Sequence, residues 1–258
     1  MNNFGFLSKY QQLQKEIMFD KIIDLEFAFI GYCKVDKSAF WNFALINKPP
    51  SEEEISKIEE TFKSLDRNPT IYFENREDFK PFINLLREKG YKREFEDSWM
   101  FWQDKEIDKS RFNLVKKVNT EEELKVFLKT FDTCYQKDDP QNAYGELGDY
   151  LIVAKDVWYK HHGSDKLEYF IIYKNEKPVT VSTLTNFKDI GYISNVGSFR
   201  EVRGEGFGKL ATLYCIEQSK NNGNKIHCLA TEEGTYANEF YKRIGFDTLF
   251  TAVAYTKK

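Results

Sequence analysis

Three short runs of period-two hydrophobicity follow one another over residues 167–199: LEYFIIY, VTVSTLTNF and GYISNVGSF, separated by the turn sequences KNEKP and KDI. Alternation at that period sends successive side chains to opposite faces of an extended chain. Turns this short leave neighbouring strands an antiparallel arrangement, so the segment predicts a β-meander. The meander runs directly into FREVRGEGFGKLATLY, residues 199–214, with glycines at 204, 206 and 208 and Lys209 behind them. Phe207, Leu210, Ala211 and Tyr214 then fall at i, i+3, i+4 and i+7, one face of a helix. The order is therefore meander, glycine-rich loop, helix.

Spacing decides what such a loop can hold. A magnesium-nucleotide P-loop needs G-x-x-x-x-G-K-[ST]. Counting back from Gly208 and Lys209 places Arg203 at the first glycine, and Leu210 stands where the Ser or Thr should be. A dinucleotide turn needs G-x-G-x-x-G inside a parallel βαβ unit. Here the third glycine comes one residue early, and the preceding strands are antiparallel in expectation. What remains is an anion site of another kind. Glycines let backbone N–H groups turn toward one point, and the helix N-terminus adds partial positive charge. Arg203 and Lys209 flank it with basic side chains. The competing reading is a turn that needs its glycines only to change direction.

The rest of the chain supplies helices and strands around this segment. Ser51-x-x-Glu54 and Thr120-x-x-Glu123 are capping-box patterns, each followed by an apolar stripe: Ile55, Ile58, Phe62 and Leu65, then Leu124, Phe127, Leu128 and Phe131. NREDFKPFINLLREKG, residues 75–90, reads as a helix with Pro81 in its first turn and Gly90 beyond its end. PTIYFEN and YKREFEDSWMFWQ flank it as strands. The stretch 132–150 is polar and turn-rich, with room for helix within it. KIHCLAT reads as a buried strand, TYANEFYKRIG as a short helix ending at Gly245, and FDTLFTAVAYTKK as a final pair of strands or one bent strand. The polar stretch DKEIDKSR, residues 104–111, predicts a boundary between a domain at 1–108 and another at 109–258. Both halves end as strand, helix, Gly-aromatic, strand, a faint internal repeat.

Composition narrows the partners. A formal net charge of -3 argues against a nucleic-acid partner, which calls for a basic excess or stripe. No run of about 18 apolar residues marks a membrane span, and the N-terminus lacks an export-signal layout, so a cytoplasmic protein is expected. Cys33, Cys134, Cys215 and Cys228 are scattered without CxxC spacing and read as small buried hydrophobes. His161 and His162, read as adjacent surface residues in a polar loop, have no third ligand in register, and His227 reads as a core histidine, so no metal is expected.

Arg203-Gly-Glu-Gly206-Phe-Gly208, coming after a meander, resembles the R/Q-x-x-G-x-G/A pyrophosphate-binding motif of the GNAT N-acetyltransferases. ANEFYKRIGF, residues 237–246, is similar to that family's A-x-x-x-Y-x-x-x-G-F segment, with matches at Ala237, Tyr241, Gly245 and Phe246. The resemblance covers about residues 112–258, with three departures from frequent family residues, at Arg200, Ser198 and Gly234. It implies an α+β fold: a mixed, mostly antiparallel twisted sheet flanked by helices, preceded by a second α+β domain readable as a degenerate tandem copy. That first domain has no R-x-x-G-x-G, and Leu86 occupies the place of Tyr241. The resemblance implies acetyl-CoA as co-substrate, with Arg203, Gly204, Glu205, Gly206, Phe207, Gly208 and Lys209 on its pyrophosphate. Backbone N–H groups of Val196, Gly197 and Ser198 would meet the thioester carbonyl, aided by a bulge in the strand, and Tyr241 would be the general acid. The implied acceptor is a small-molecule or peptide amine, and the implied assembly a monomer or homodimer. A general base is not identified; Glu232 and Glu233 at a strand end read first as solvated residues. An aminoacyl or long-chain acyl transferase, and a non-catalytic CoA-binding or regulatory module, remain as alternatives.

Overall fold

A computed structural model describes residues 2–15, 17–142 and 145–258. It divides into two compact units, one comprising Met1–Trp99 with Leu249–Lys258 and the other Met100–Thr248. The first unit begins with α1 (Asn3–Leu13), β1 (Lys21–Asp24), β2 (Ala28–Tyr32) and β3 (Asn42–Ile46), followed by α2 (Glu52–Ser64), β4 (Thr70–Glu74), α3 (Lys80–Glu88) and β5 (Lys92–Trp102). The sequence patterns predict α2, β4, α3 and β5 but not the four elements before them. The capping box at α2 is formed in both directions between Ser51 and Glu54. It fixes the helix start so that Ile55, Ile58 and Phe62 face inward and are buried. β1, β2 and β3 pair antiparallel in sequence, and β3 pairs parallel with β4. The core of this unit gathers Ile30, Ala44, Ile58, Phe62, Phe73 and Leu86, with Phe79 stacked on Phe73 at 4.7 Å.

The second unit contains β6 (Val115–Lys117), α4 (Glu121–Cys134), α5 (Tyr150–His161), β7 (Leu167–Lys174), β8 (Lys177–Phe187), β9 (Ile190–Ser198), α6 (Phe207–Asn221), β10 (Ile226–Glu232), α7 (Tyr236–Ile244) and the first residues of β11 (Phe246–Thr256). The predicted meander is β7, β8 and β9, extended by antiparallel pairing of β6 on β7. β10 then pairs parallel with β9, His227 opposite Gly191. A mostly antiparallel sheet flanked by helices is thus the fold of this unit. α4 is capped as predicted, by Thr120 and Glu123 in a reciprocal box. Its core joins Phe170, Leu184, Ile193, Leu213, Ile216, Leu229 and Phe246.

One reading of the sequence is corrected here, and one pair of alternatives is decided. α5 was not anticipated, although Val153, Ala154, Val157 and Trp158 form its buried face. His161 and His162 therefore do not lie in a polar loop. His161 is the last residue of α5, and the ring of His162 stacks on Trp158 at 4.3 Å. β11 is a single strand, and its second half belongs to the first unit: Ala252–Thr256 pair antiparallel with Glu74–Thr70.

Candidate functional site

The site is built where β9 ends. Thr183 lies opposite Ser194 and Val181 opposite Gly197, so β9 places two residues, Asn195 and Val196, against one of β8. This is a β-bulge, and Asn195 takes the left-handed conformation it needs, with φ 54°. Val196 lies in the bulge, whereas Gly197 and Ser198 resume the pairing register. Side chains brace the distortion. Asn195 Nδ2 donates to Thr183 Oγ1 at 3.1 Å, and Tyr150 donates its phenol to Asn195 Oδ1 at 3.1 Å. Tyr135 donates to the Val196 carbonyl at 3.3 Å. Gly197 is glycine for space: a Cβ there would stand 2.6 Å from Cys134 Cβ and 2.9 Å from Tyr135 Cε2.

A single 3-10 turn over Arg200–Val202 leads from β9 into the glycine loop. Gly204 and Gly206 both adopt φ 84°, which an L side chain rarely tolerates. Gly206 is the N-cap of α6, and no side chain caps the helix. The N–H groups of Phe207, Gly208 and Lys209 therefore have no acceptor within the helix's own ladder. Phe207 is buried, while Gly204, Glu205, Gly206 and Lys209 are exposed. Glu205 is held by Lys174, which reaches both carboxylate oxygens at 2.7 Å. Arg203 makes a bidentate pair with Asp139, Nη1 donating at 2.8 Å. That pairing holds the Asp139 carboxyl well below the usual range, at about 2.

Three of the sequence-predicted segments come together here. A Cβ on Gly208 would lie 3.4 Å from Phe240 Cζ and 3.7 Å from Ser198 Oγ. The end of β9, the first turn of α6 and the middle of α7 thus share one small region. α7 starts at the N-cap Thr235, which accepts from the Asn238 N–H, and stops at Gly245 in a left-handed conformation. Tyr241 lies half-buried on that helix, its ring 5.0 Å from Phe240 and 5.8 Å from Phe246, both edge-on. Glu232 ends β10 half-buried, and Glu233 beyond it is exposed.

The sequence reading missed Arg111, Tyr135, Asp139 and Tyr150. Arg111 Nη1 donates to the Glu205 carbonyl at 3.0 Å, and its guanidinium lies over the Phe207 ring at 4.6 Å. Only its position within the polar stretch 104–111 hinted at it.

Other nucleophiles are poorly placed. All four cysteines are buried, and burial pushes the thiols of Cys134 and Cys215 up to about 12. The thiolate that attack requires is therefore scarce at neutral pH. Ser219 Oγ meets His227 Nδ1 at 2.8 Å, but both residues are buried. A Cβ on Gly191 would fall 1.8 Å from Ser219 Oγ, so the hydroxyl is pressed against the β9 backbone with no room for a substrate. Burial also lowers the His227 pKa to about 4, which leaves it neutral. Among the described residues, no group of three His, Cys, Asp or Glu side chains is arranged to hold a metal, and no helix is long and apolar enough to cross a membrane.

Comparison with known proteins agrees with this architecture. Residues 126–246 match the model of the acetyltransferase (GNAT) family. A GCN5-related N-acetyltransferase from Kribbella flavida superposes over 100% of this chain and 96% of its own, at 17% identity and a TM-score of 0.68. A functionally unknown conserved protein from Staphylococcus epidermidis superposes over 93% of this chain and 94% of its own, at 15% identity and a TM-score of 0.67. A tandem GNAT protein from the clavulanic acid biosynthesis pathway covers 89% of this chain and 77% of its own, at 10% identity and a TM-score of 0.54. At such identities the likeness is one of fold. No curated protein sequence matches the chain.

Proposed function

We propose that this protein is an acyl-CoA-dependent N-acyltransferase that moves acetyl from acetyl-CoA to a primary amine by direct attack in a ternary complex. One observation carries the reading: the uncapped first turn of α6, preceded by two left-handed glycines, meets both the end of β9 just beyond its bulge, at Ser198, and Phe240 of α7, the residue before Tyr241. The open glycine backbone suits a pyrophosphate, because Gly204 has nothing within 4 Å of a Cβ position.

Acetyl-CoA supplies the acyl group as an activated thioester. In this reading the N–H groups from Gly204 to Lys209 bind its phosphates, and Arg203 keeps the loop in place. The N–H groups of Val196, Gly197 and Ser198 face the thioester carbonyl and stabilise the charge that develops on its oxygen. Tyr241 Oη holds the proton delivered to the departing sulfur. The buried, protonated cysteines favour direct attack over a covalent acyl-enzyme. The acceptor is a small-molecule or peptide amine, which must reach the site neutral. We assign catalysis to residues 109–258 and none to residues 1–108, and we place the protein in the cytoplasm as a monomer or homodimer.

Calorimetric titration with acetyl-CoA, followed by thiol release across a panel of amines, tests this. Saturable binding and amine-dependent thiol release are expected. Absence of binding rejects the reading; binding without turnover on any amine shifts it to a regulatory CoA-binding module.

A further inference from the structure

The cation that the motif places first is not available to a phosphate. Arg203 meets both oxygens of Asp139, a carboxylate whose side chain is 1% exposed. Arg203 Nη2 also lies 3.5 Å from the Ser198 carbonyl. Asp139 is itself fixed, accepting from the Gln141 N–H at 3.0 Å. Turning Arg203 outward would leave a buried carboxylate without its counter-charge, which is strongly unfavourable. Arg200 is engaged in the same way, with Asp138 at 2.8 Å and Asp139 at 3.7 Å. These pairs tie the turn after α4 to the loop before α6.

Arg111 stands on the other side of the loop. Its Nη1 donates to Glu205 O and lies 3.5 Å from the point a Cβ on Gly206 would occupy. Its guanidinium covers Phe207, the first residue of α6. A cation there sits at the positive end of an uncapped helix, an unfavourable pairing unless an anion lies beside both. Of the nearby carboxylates, Glu205 is held by Lys174, and Asp108 accepts from the Ser110 N–H at 2.9 Å; that bond first, and then the charges of Lys209 and Arg111, hold the Asp108 carboxyl below its usual range, so one exposed carboxylate faces two cations. Lys209, exposed in the first turn of α6, adds a further positive charge.

We propose that Arg111, which lies outside the motif, supplies the side-chain charge to the phosphates of CoA, while Arg203 positions the loop through Asp139. The proposal rests on the acyl-CoA reading above. Its test is calorimetric titration of the full chain with CoA at low and moderate salt. Arg111→Gln is expected to weaken CoA about tenfold, the scale of one charge-assisted hydrogen bond, and to flatten the salt dependence. Arg111→Lys is expected to restore most of the affinity. Repeating the titration with dephospho-CoA separates the two phosphate sources. An undiminished Arg111→Gln effect assigns the residue to the pyrophosphate, and a vanished one assigns it to the 3′-phosphate; either supports the proposal. Arg203→Gln and Asp139→Asn are each expected to lower the melting temperature, with a double variant no worse than either single one; Arg203→Gln is expected to keep the salt dependence of CoA binding, whereas Asp139→Asn, which frees the Arg203 charge, is expected to steepen it. An Arg111→Gln protein that titrates like wild type overturns the proposal. So does a folded Arg203→Gln protein that loses the salt dependence. Wild-type protein that binds no CoA overturns the acyltransferase reading itself, an outcome visible before any variant is made.

Discussion

Two segments of the chain follow one plan. β4, α3, Gly90 and β5 run strand, short helix, left-handed glycine, strand; β10, α7, Gly245 and β11 do the same. Both helices have nine residues and both closing strands have eleven. The glycines have φ 87° and 119°. The difference lies four residues before each glycine. Leu86 is fully buried in the core of the first unit, whereas Tyr241 is half-buried, packed edge-on against Phe240 and Phe246. A helix of this kind holds a sheet closed in one place and presents a phenol in the other. The backbone plan is therefore permissive: the same turn carries a buried aliphatic side chain in one unit and a half-buried phenol in the other.

The strongest way to sharpen this comparison is to alter that position in each copy. Tyr241→Phe is expected to lower kcat by about 10²–10⁴-fold, the range of general acid catalysis, with acetyl-CoA affinity nearly unchanged in calorimetry. An unchanged kcat would remove the chemical half of the contrast. Leu86→Ala is expected to destabilise the first unit by about 2–5 kcal/mol, read as a lower denaturation midpoint. Its kcat per folded molecule should match wild type below the melting range.

Mild acid should separate the two units next. All three histidines, His161, His162 and His227, lie within Met100–Thr248. The folded His227 has its pKa lowered from 6.5 to about 4 by burial, so the unfolded chain binds that proton first. The stability linked to it is full above pH 6.5 and falls as pH drops from 6.5 toward 4, by on the order of 2–3 kcal/mol. Hydrogen exchange across that window should show β10 and its neighbours opening before the β2–β3–β4 core. Equal loss in both units, or an unchanged pH slope in His227→Gln, would contradict this.

The smallest effect concerns the glycines. Gly90→Ala meets no atom within 4 Å and should cost about 1–2 kcal/mol from its positive φ alone. Gly245→Ala adds a Cβ 2.9 Å from both Trp102 Cζ3 and Lys105 Cδ. It should cost about 1 kcal/mol more, because Trp102 is packed while Lys105 can move aside. Paired urea titrations measure the difference.

Much of the second unit was legible because its signals are local. Period-two runs with short turns gave the meander, and capping boxes set two helix starts within a residue. Left-handed glycines marked the ends of α3 and α7. The less legible parts depend on partners far away in sequence. Asp139 and Arg203 are 64 residues apart, and Arg111 and Glu205 are 94 apart. Nothing in either neighbourhood announces the other. α5 was hidden by the polar stretch before it, and β1 has only four residues, too few for alternation to stand out. Spacing predicts an anion site at the loop with Arg203 on the phosphate, but a motif cannot show that a buried carboxylate already pairs with Arg203.

The path of β11 has a consequence for biosynthesis. Val253 and Tyr255 complete the core around Ile30, Phe62 and Phe73, yet the ribosome makes them only after the whole of Met100–Thr248. Domains emerging from a ribosome ordinarily fold in the order they are made. Here the order is expected to invert: the earlier residues wait, with apolar surface uncovered, while the later unit closes. Nascent chains halted before residue 249 should resist protease over Met100–Thr248 and remain cleavable over Met1–Trp99. That interval is when this protein would depend most on a chaperone.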